Sequence, residues 1–282
     1  MQAPAGSPSP LLEAYSPGSA LEAYEALAPF YDVYTAGYAH DRWLHELEAL
    51  ALRCGLCGRR VLDVACGTGK SFEPLARRGY EITACDLSPK MVAIARDKAP
   101  PNTEVFVADM RDLPMVGSFD LITCLDDSVN YLLSEEELLD AFRSMASLLA
   151  PDGLLVFDVN TLATYRTVFA QAFDHETDDL RFRWSGECAP DLSPGSLAAA
   201  TVEVEHADLG PLPNGAGRHL QRHHPRPVVE SALASAGLEC RAVRGQKRGA
   251  HLEAAADEAR HIKFVYVAGL CGPDAQTVVP RR

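Results

Sequence analysis

From residue 60 onward, short apolar runs alternate with amphipathic stretches, a rhythm that predicts a doubly wound parallel sheet. Arg60–Val64, Glu81–Cys85, Glu104–Val107, Phe119–Cys124 and Leu154–Asp158 read as strands. Helices are expected from about Lys70 to Arg78 and over Pro89–Ala99, the second capped by Ser88 with Pro89 at its first position. Ser134 and Glu137 form a capping box for a third helix, with Leu138, Leu139, Phe142, Met145, Leu148 and Leu149 along one face. Pro151-Asp-Gly153 is read as its stop. Upstream, Leu21–Leu27 and Asp41–Leu52 have helical spacing, the latter through Trp43, Leu44, Leu47, Leu50 and Ala51.

Past residue 160 the rhythm breaks. Turn signals at Ala189-Pro-Asp191, Ser193-Pro-Gly195 and Leu209–Gly217, with the alternating Thr201-Val-Glu-Val-Glu205, predict a small β-rich insertion. The α/β pattern resumes with a helix over Arg226–Ala236, ended by Gly237, and strands over Leu238–Val243 and Ile262–Ala268. The expected fold is α/β, a seven-stranded and mostly parallel doubly wound sheet with an antiparallel C-terminal hairpin. Its parts are a leader (1–20), an N-terminal helical segment (21–58), a core (59–159), the insertion (160–222), the resumed core (223–270) and a tail (271–282).

Composition narrows the function. The 282 residues are 47% hydrophobic and 23% charged, ordinary for a globular chain of one elaborated domain or one domain with an accessory module. A net charge of −13 argues against nucleic acid as partner, because neutralising phosphates needs clustered Lys and Arg. Arg241, Arg244, Lys247 and Arg248 read as a solvated strand end or loop. No run approaches the ~18 apolar residues of a membrane span, and the first ten residues have neither a basic nor an apolar signal region, so a cytoplasmic protein with a disordered leader is expected. Eight scattered cysteines then read as reduced thiols. Cys54-Gly-Leu-Cys57 has no second pair at zinc spacing, so no metal site is expected.

The chemistry concentrates where the first strand ends, in Asp63-Val-Ala-Cys-Gly-Thr-Gly69. Small residues there let a ligand approach the backbone, and the following helix aims its free N–H groups at the turn. A phosphate-binding loop would need glycine at Val64, and a dinucleotide fingerprint would need it at Phe72. Both readings fail, and Lys70 is read as a first-turn surface residue.

The segment instead resembles motif I of the class I S-adenosylmethionine-dependent methyltransferases, a Rossmann-like family. Further features fall in the family's order. The resemblance implies S-adenosylmethionine as cofactor, bound by Asp63, Ala65, Cys66, Gly67 and Gly69 of the turn. It implies that Asp86 accepts both ribose hydroxyls, with Leu87 and Met91 flanking the adenine (Met91 reads equally well as core). Asp109 and Met110 would meet the adenine edge, and Leu125 ends the fourth strand beside them. Phe30-Tyr-Asp-Val-Tyr34 and Tyr38 resemble the family's lid, so Tyr31 and Tyr38 would close over the methionine end, with Arg42 a candidate for its carboxylate.

The acceptor should lie at Asp126-Asp127-Ser128-Val129-Asn130-Tyr131, where paired carboxylates can receive an ammonium or take its proton. His223 and His224 are the other candidate bases, since imidazole titrates near neutrality, although loop histidines are more often structural or solvent-exposed. Trp184 would wall the acceptor or serve core or dimer packing. The expected activity is methyl transfer to an amine or hydroxyl of a small molecule, as in bacterial enzymes acting on amino-sugars or natural-product intermediates. A homodimer is left open. The alternatives are methylation of a macromolecule, a non-catalytic cofactor-binding module, or another use of the sulfonium.

Overall fold

The computed structural model describes residues 19–177 and 179–272. The strands are β1 (Arg60–Val64), β2 (Glu81–Asp86), β3 (Glu104–Val107), β4 (Phe119–Cys124) and β5 (Leu149–Asn160), then β6 (Ala172–Glu176), β7 (Leu180–Gly186), β8 (Leu197–His206) and β9 (Gly210–Arg222), and last β10 (Leu238–Lys247), β11 (His251–Glu253) and β12 (Lys263–Leu270). The helices are α1 (Ser19–Leu27), α2 (Tyr31–Tyr34), α3 (His40–Arg53), α4 (Glu73–Arg77), α5 (Pro89–Lys98), α6 (Glu135–Ser147), α7 (Leu162–Thr167) and α8 (Arg226–Ser235).

Strands of the main sheet run in the order β11-β10-β12-β5-β4-β1-β2-β3. Those from β5 to β3 are parallel, while β12 lies antiparallel between β5 and β10. The seven expected strands are joined by a short eighth, β11, which pairs with the end of β10 at the sheet edge. Both faces are covered. Leu62 and Val64 of β1 join Leu138, Phe142 and Met145 of α6 and Leu233 of α8 on one side. Val61 joins Trp43, Leu47 and Leu50 of α3 and Leu75 of α4 on the other. Each such fully buried side chain contributes about 1.5–3 kcal/mol, and burial on both faces explains why the strands read as apolar runs. The chain leaves β1 toward β2 and β3 and later returns to β1's other side as β4. The β1/β4 boundary is therefore the switch point, where open α/β sheets leave a crevice at the strands' carboxyl ends.

The insertion is a separate antiparallel sheet, β6-β7-β8-β9, preceded by α7. Helix α1 lies across β9, so close that a Cβ on Gly217 would sit 2.9 Å from the Cα of Ala23. It thereby carries the N-terminal segment over the carboxyl edge of the main sheet.

Some boundaries differ from expectation. The helix expected from Lys70 shrinks to Glu73–Arg77, because residues 66–73 are spent on a turn closed by Gly69 N–H to Cys66 O and Glu73 N–H to Gly69 O. The capping box of Ser134 and Glu137 is formed, yet α6 ends at Ser147, before Pro151-Asp-Gly153. That tripeptide instead lies within β5, where the register against β4 shifts between Phe119 and Leu121. Of the expected leader, Ser19 and Ala20 open α1; positions 1–18, and 273–282 of the tail, lie outside the described residues.

Candidate active site

A cavity of about 780 Å³ opens at the switch point. Its floor is the turn after β1, where Ala65 (φ 57°), Gly67 (φ 55°) and Gly69 (φ 91°) all take left-handed conformations. Glycine is required at 69: its φ disfavours a side chain, and a Cβ would lie 2.8 Å from the buried Phe72 ring. Phe72, the residue that spoils a dinucleotide fingerprint, is thus the wedge that shapes this turn.

Ala65, Cys66 and Gly67 line the cavity, while Gly69, expected among them, packs against Phe72 outside the lining. Asp63 lies beneath the cavity and is also outside the lining. Its carboxyl accepts hydrogen bonds from Ser71 Oγ and, at 2.6 Å, from Thr123 Oγ1. Burial pushes this carboxyl up to about 7 despite those two donors. Asp63 therefore braces the turn rather than facing a ligand, which corrects its expected place in the binding surface.

Asp86 reaches the cavity from the end of β2. Its Oδ2 accepts the Gly67 N–H and its Oδ1 the Ser88 N–H, both at 2.8 Å. A carboxylate has about four lone-pair sites, so each oxygen keeps capacity for a further donor. Burial raises its titration point, with the backbone donors opposing. Leu87, Met110 and Leu125 line the cavity, but Met91 is fully buried behind it, the core alternative for that residue. Asp109 also lines it, gripped by the Arg111 guanidinium, which in turn binds Glu137 Oε1 at 2.5 Å. Burial disfavours the Asp109 charge, but Arg111 outweighs it and holds the carboxyl below its ordinary range.

The far end is built from distant segments. Tyr24 of α1, Tyr31 of α2, His40 of α3, Asp126, Tyr131 and Arg222 all line it. His40 Nε2 stands 3.3 Å from Asp126 Oδ2. Tyr24 OH donates to Tyr131 OH at 3.0 Å, and Tyr131 OH meets His219 Nδ1 at 2.8 Å. Behind this wall, Lys263 Nζ lies 2.7 Å from both Asp127 Oδ1 and Asp158 Oδ2, 3.9 Å from Asp126 Oδ1, and 5.6 Å from the Trp43 ring centroid. Burial opposes the lysine's charge, but the three carboxylates prevail and raise its titration point well above ordinary. Asp126 is held low by His40 and Lys263 against the effect of burial. Asp126 and Asp127 are both left-handed, at φ 55° and 53°.

Several expected residues do not reach the cavity. Asp127 is spent on Lys263 and on Gln221 Nε2, 2.6 Å away. His223 is buried, its Nδ1 accepting the Gly195 N–H at 3.1 Å and its Nε2 facing Glu258 Oε1 at 3.4 Å. His224 is buried against the Leu132 carbonyl at 2.9 Å, and burial pulls its imidazole down to about 4. Both histidines thus hold the joint between insertion and core. Tyr38 is 58% exposed and outside the lining, as is the exposed Arg42. Trp184 packs between Phe169 and Phe173, with its indole N–H on the Val168 carbonyl at 2.8 Å. Lys70 is not a free surface residue: it lines the cavity and donates to Asp32 O and Thr35 Oγ1. His40, Tyr24 and Arg222 were missed because only the fold brings them here; a lone histidine opening an amphipathic helix carries no signal.

All eight cysteines are free, and among the described residues no cluster suits a metal and no helix is long and apolar enough to cross a membrane.

Comparison with known proteins accords with this geometry. Residues 61–153 match a family model described as a methyltransferase domain. A protein named "Putative methyltransferase" from Geobacillus sp. (strain WCH70) is 36% identical over 220 residues, spanning 76% of this chain and 88% of its own length. The chain belongs to the methyltransferases. Among solved structures, an S-adenosylmethionine-dependent methyltransferase from Clostridium acetobutylicum superposes with a TM-score of 0.73 at 22% identity, covering 88% of this chain and 99% of its own. The dTDP-3-amino-3,6-dideoxy-alpha-D-glucopyranose N,N-dimethyltransferase of Streptomyces fradiae is 34% identical over 134 residues, 47% of this chain and 52% of its own. This methyltransferase uses S-adenosylmethionine, and its cavity suits that group. Asp86 has acceptor capacity for a vicinal diol, Leu87 and Met110 offer apolar contact to a flat base, and the turn presents backbone close to the cavity.

Proposed function

We propose that this methyltransferase acts on a small molecule and methylates an amine, with amino-sugars the favoured acceptor class. The carrying observation is the wall at the far end of the cavity, where Asp126 pairs with His40 beside the open space. Such a wall attracts an ammonium and offers its proton a destination. The N,N-dimethyltransferase of an amino-sugar among the relatives supports the same reading.

In this reading Asp86 holds the ribose, while Leu87 and Met110 flank the adenine. Asp109 faces its edge, and Ala65, Cys66 and Gly67 supply close backbone around the methionine end. Leu125 forms the wall between the two ends, and Tyr31 covers it. When bound, S-adenosylmethionine supplies an already activated methyl group, so the chain's task is alignment and exclusion of water. Asp126 orients the acceptor nitrogen and His40 removes the proton that makes it unreactive. Tyr24 and Tyr131 close the side of the pocket with their apolar ring faces.

The test is incubation of the full chain with methyl-labelled S-adenosylmethionine and a panel of amino-sugars, led by dTDP-3-amino-3,6-dideoxyglucose, with amino acids and phenols. Label appearing on amines, and lost in Asp126→Asn, supports the reading. Label appearing on phenols alone overturns N-methylation.

A further inference from the structure

One group of polar contacts joins Asp32, which does not line the cavity, to Thr68 and Lys70, which do. Helix α2 is a single turn of four residues, yet three side chains from two elements grip it at Asp32. Thr68 Oγ1, in the glycine turn, donates to Asp32 Oδ1 at 2.7 Å. Lys98, at the end of α5, forms an ion pair with Asp32 Oδ2. Lys70 Nζ donates to the Asp32 backbone carbonyl and to Thr35 Oγ1, each at 2.8 Å. Thr68 and Thr35 are buried, so two of these bonds are largely shielded from water. The neighbouring Tyr31 ring is thereby set on the turn itself, where a Cβ on Gly67 would lie 3.7 Å from it.

A second, independent tether holds the preceding helix. Glu25 Oε1 accepts from Ser88 Oγ at 2.5 Å and from Lys90 N–H at 2.9 Å. Helix α1 would therefore stay docked if the Asp32 contacts were cut, leaving only α2 and Tyr31 free to swing. The glycine turn is the one floor shared by the cavity and these contacts, so a ligand on that turn is covered while they hold.

We infer that Asp32 is a positioning residue, a latch that fastens α2 to the glycine turn and so sets how fast the methyl donor and its demethylated product leave. This rests on the assignment of the cavity floor to the cofactor, but on nothing about the acceptor. The latch explains why Lys70 and Thr68 are polar in a turn otherwise made of small residues: they grip the lid rather than a phosphate.

The experiment uses the full chain and S-adenosylhomocysteine, with association and dissociation followed separately by stopped-flow fluorescence. Asp32→Ala loses a charge-assisted hydrogen bond and an ion pair, so dissociation should quicken about tenfold with association equal or faster. Asp32→Asn keeps an acceptor for Thr68 but loses the Lys98 pair, and should fall between the two. Chymotrypsin should cut within residues 30–38 faster in the ligand-free Asp32→Ala chain than in wild type, a readout that needs no turnover. Wild-type dissociation rates in both Asp32→Ala and Asp32→Asn overturn the latch while leaving the cofactor site standing. If Asp32→Ala unfolds, Asp32→Asn and Thr68→Val decide, and wild-type rates in both again overturn it. Failure of wild type itself to bind S-adenosylhomocysteine overturns the cofactor site, and the latch with it.

Discussion

The two ends of the cavity differ in how their residues reach it. At the cofactor end, Ala65, Cys66, Gly67, Asp86, Asp109 and Leu125 each stand at the carboxyl end of the strand that precedes them in the chain. At the acceptor end, Tyr24, His40, Tyr131 and Arg222 come from two N-terminal helices, a loop after β4 and the last strand of the insertion. The first end is a property of strand ends and survives changes elsewhere. The second exists only once insertion and N-terminal segment have docked, which makes it the more adjustable part of the molecule.

This contrast can be broken by mutation. The largest expected effect is at the cofactor end. Asp86→Ala removes the carboxylate and strands the Gly67 and Ser88 amides. At about 1.5–3 kcal/mol per charged hydrogen bond, affinity for S-adenosylhomocysteine should fall by on the order of 100-fold or more, read by calorimetry. Affinity within about threefold of wild type would show that the cofactor end does not depend on this carboxylate.

At the acceptor end, His40→Ala and Asp126→Asn should lower turnover by about 10²- to 10⁴-fold while S-adenosylhomocysteine affinity stays within about threefold. A parallel loss of both would merge the two ends into one unit. His223→Ala should leave the chemical step intact and act on stability, the reverse of what the sequence suggested.

A smaller effect separates the turn from the insertion. Gly69→Ala meets the Phe72 ring at 2.8 Å in a left-handed conformation, whereas Gly195, also left-handed at φ 80°, has nothing within 4 Å. Gly195→Ala should cost about 1–2 kcal/mol from backbone strain alone, and Gly69→Ala about 1–3 kcal/mol more, measured by denaturant unfolding. Equal losses would mean that Phe72 moves aside freely.

A last effect concerns pH. His224 titrates at about 4 in the fold against an ordinary 6.5, so the unfolded chain binds more protons between these values. The stability it contributes is fully present above the upper value and is lost as pH falls toward the lower. His224→Gln should remove about 1.4 kcal/mol per pH unit from that slope. Asp63, raised to about 7 from 3.8, works with the opposite sign: its contribution is lost as pH rises between those values. An Asp63→Asn variant should therefore become relatively more stable as pH rises through that window, and an unchanged slope would remove the carboxyl from the account.

Strand and helix existence, the turn, the capping box and the β-rich character of the insertion were legible because each is a local pattern of apolar spacing or turn chemistry. So was the place of Asp86 at the end of its strand and of Asp109 just past its own. Lys70 was misread because the first turn of a helix is normally a surface, and nothing local reveals that α2 will lie on it. Asp127 looked equivalent to Asp126 as chemistry, and His223 was the candidate base where His40 was passed over; burial and partners separated them.

By itself, then, the amino-acid order determined the strands and the methyl donor, because strand ends inherit their position from the strands before them. The tertiary structure alone decided which carboxylate and which imidazole line the far end of the cavity. That choice depends on where Lys263, Gln221 and Glu258, far off in the chain, spend their charges and hydrogen bonds.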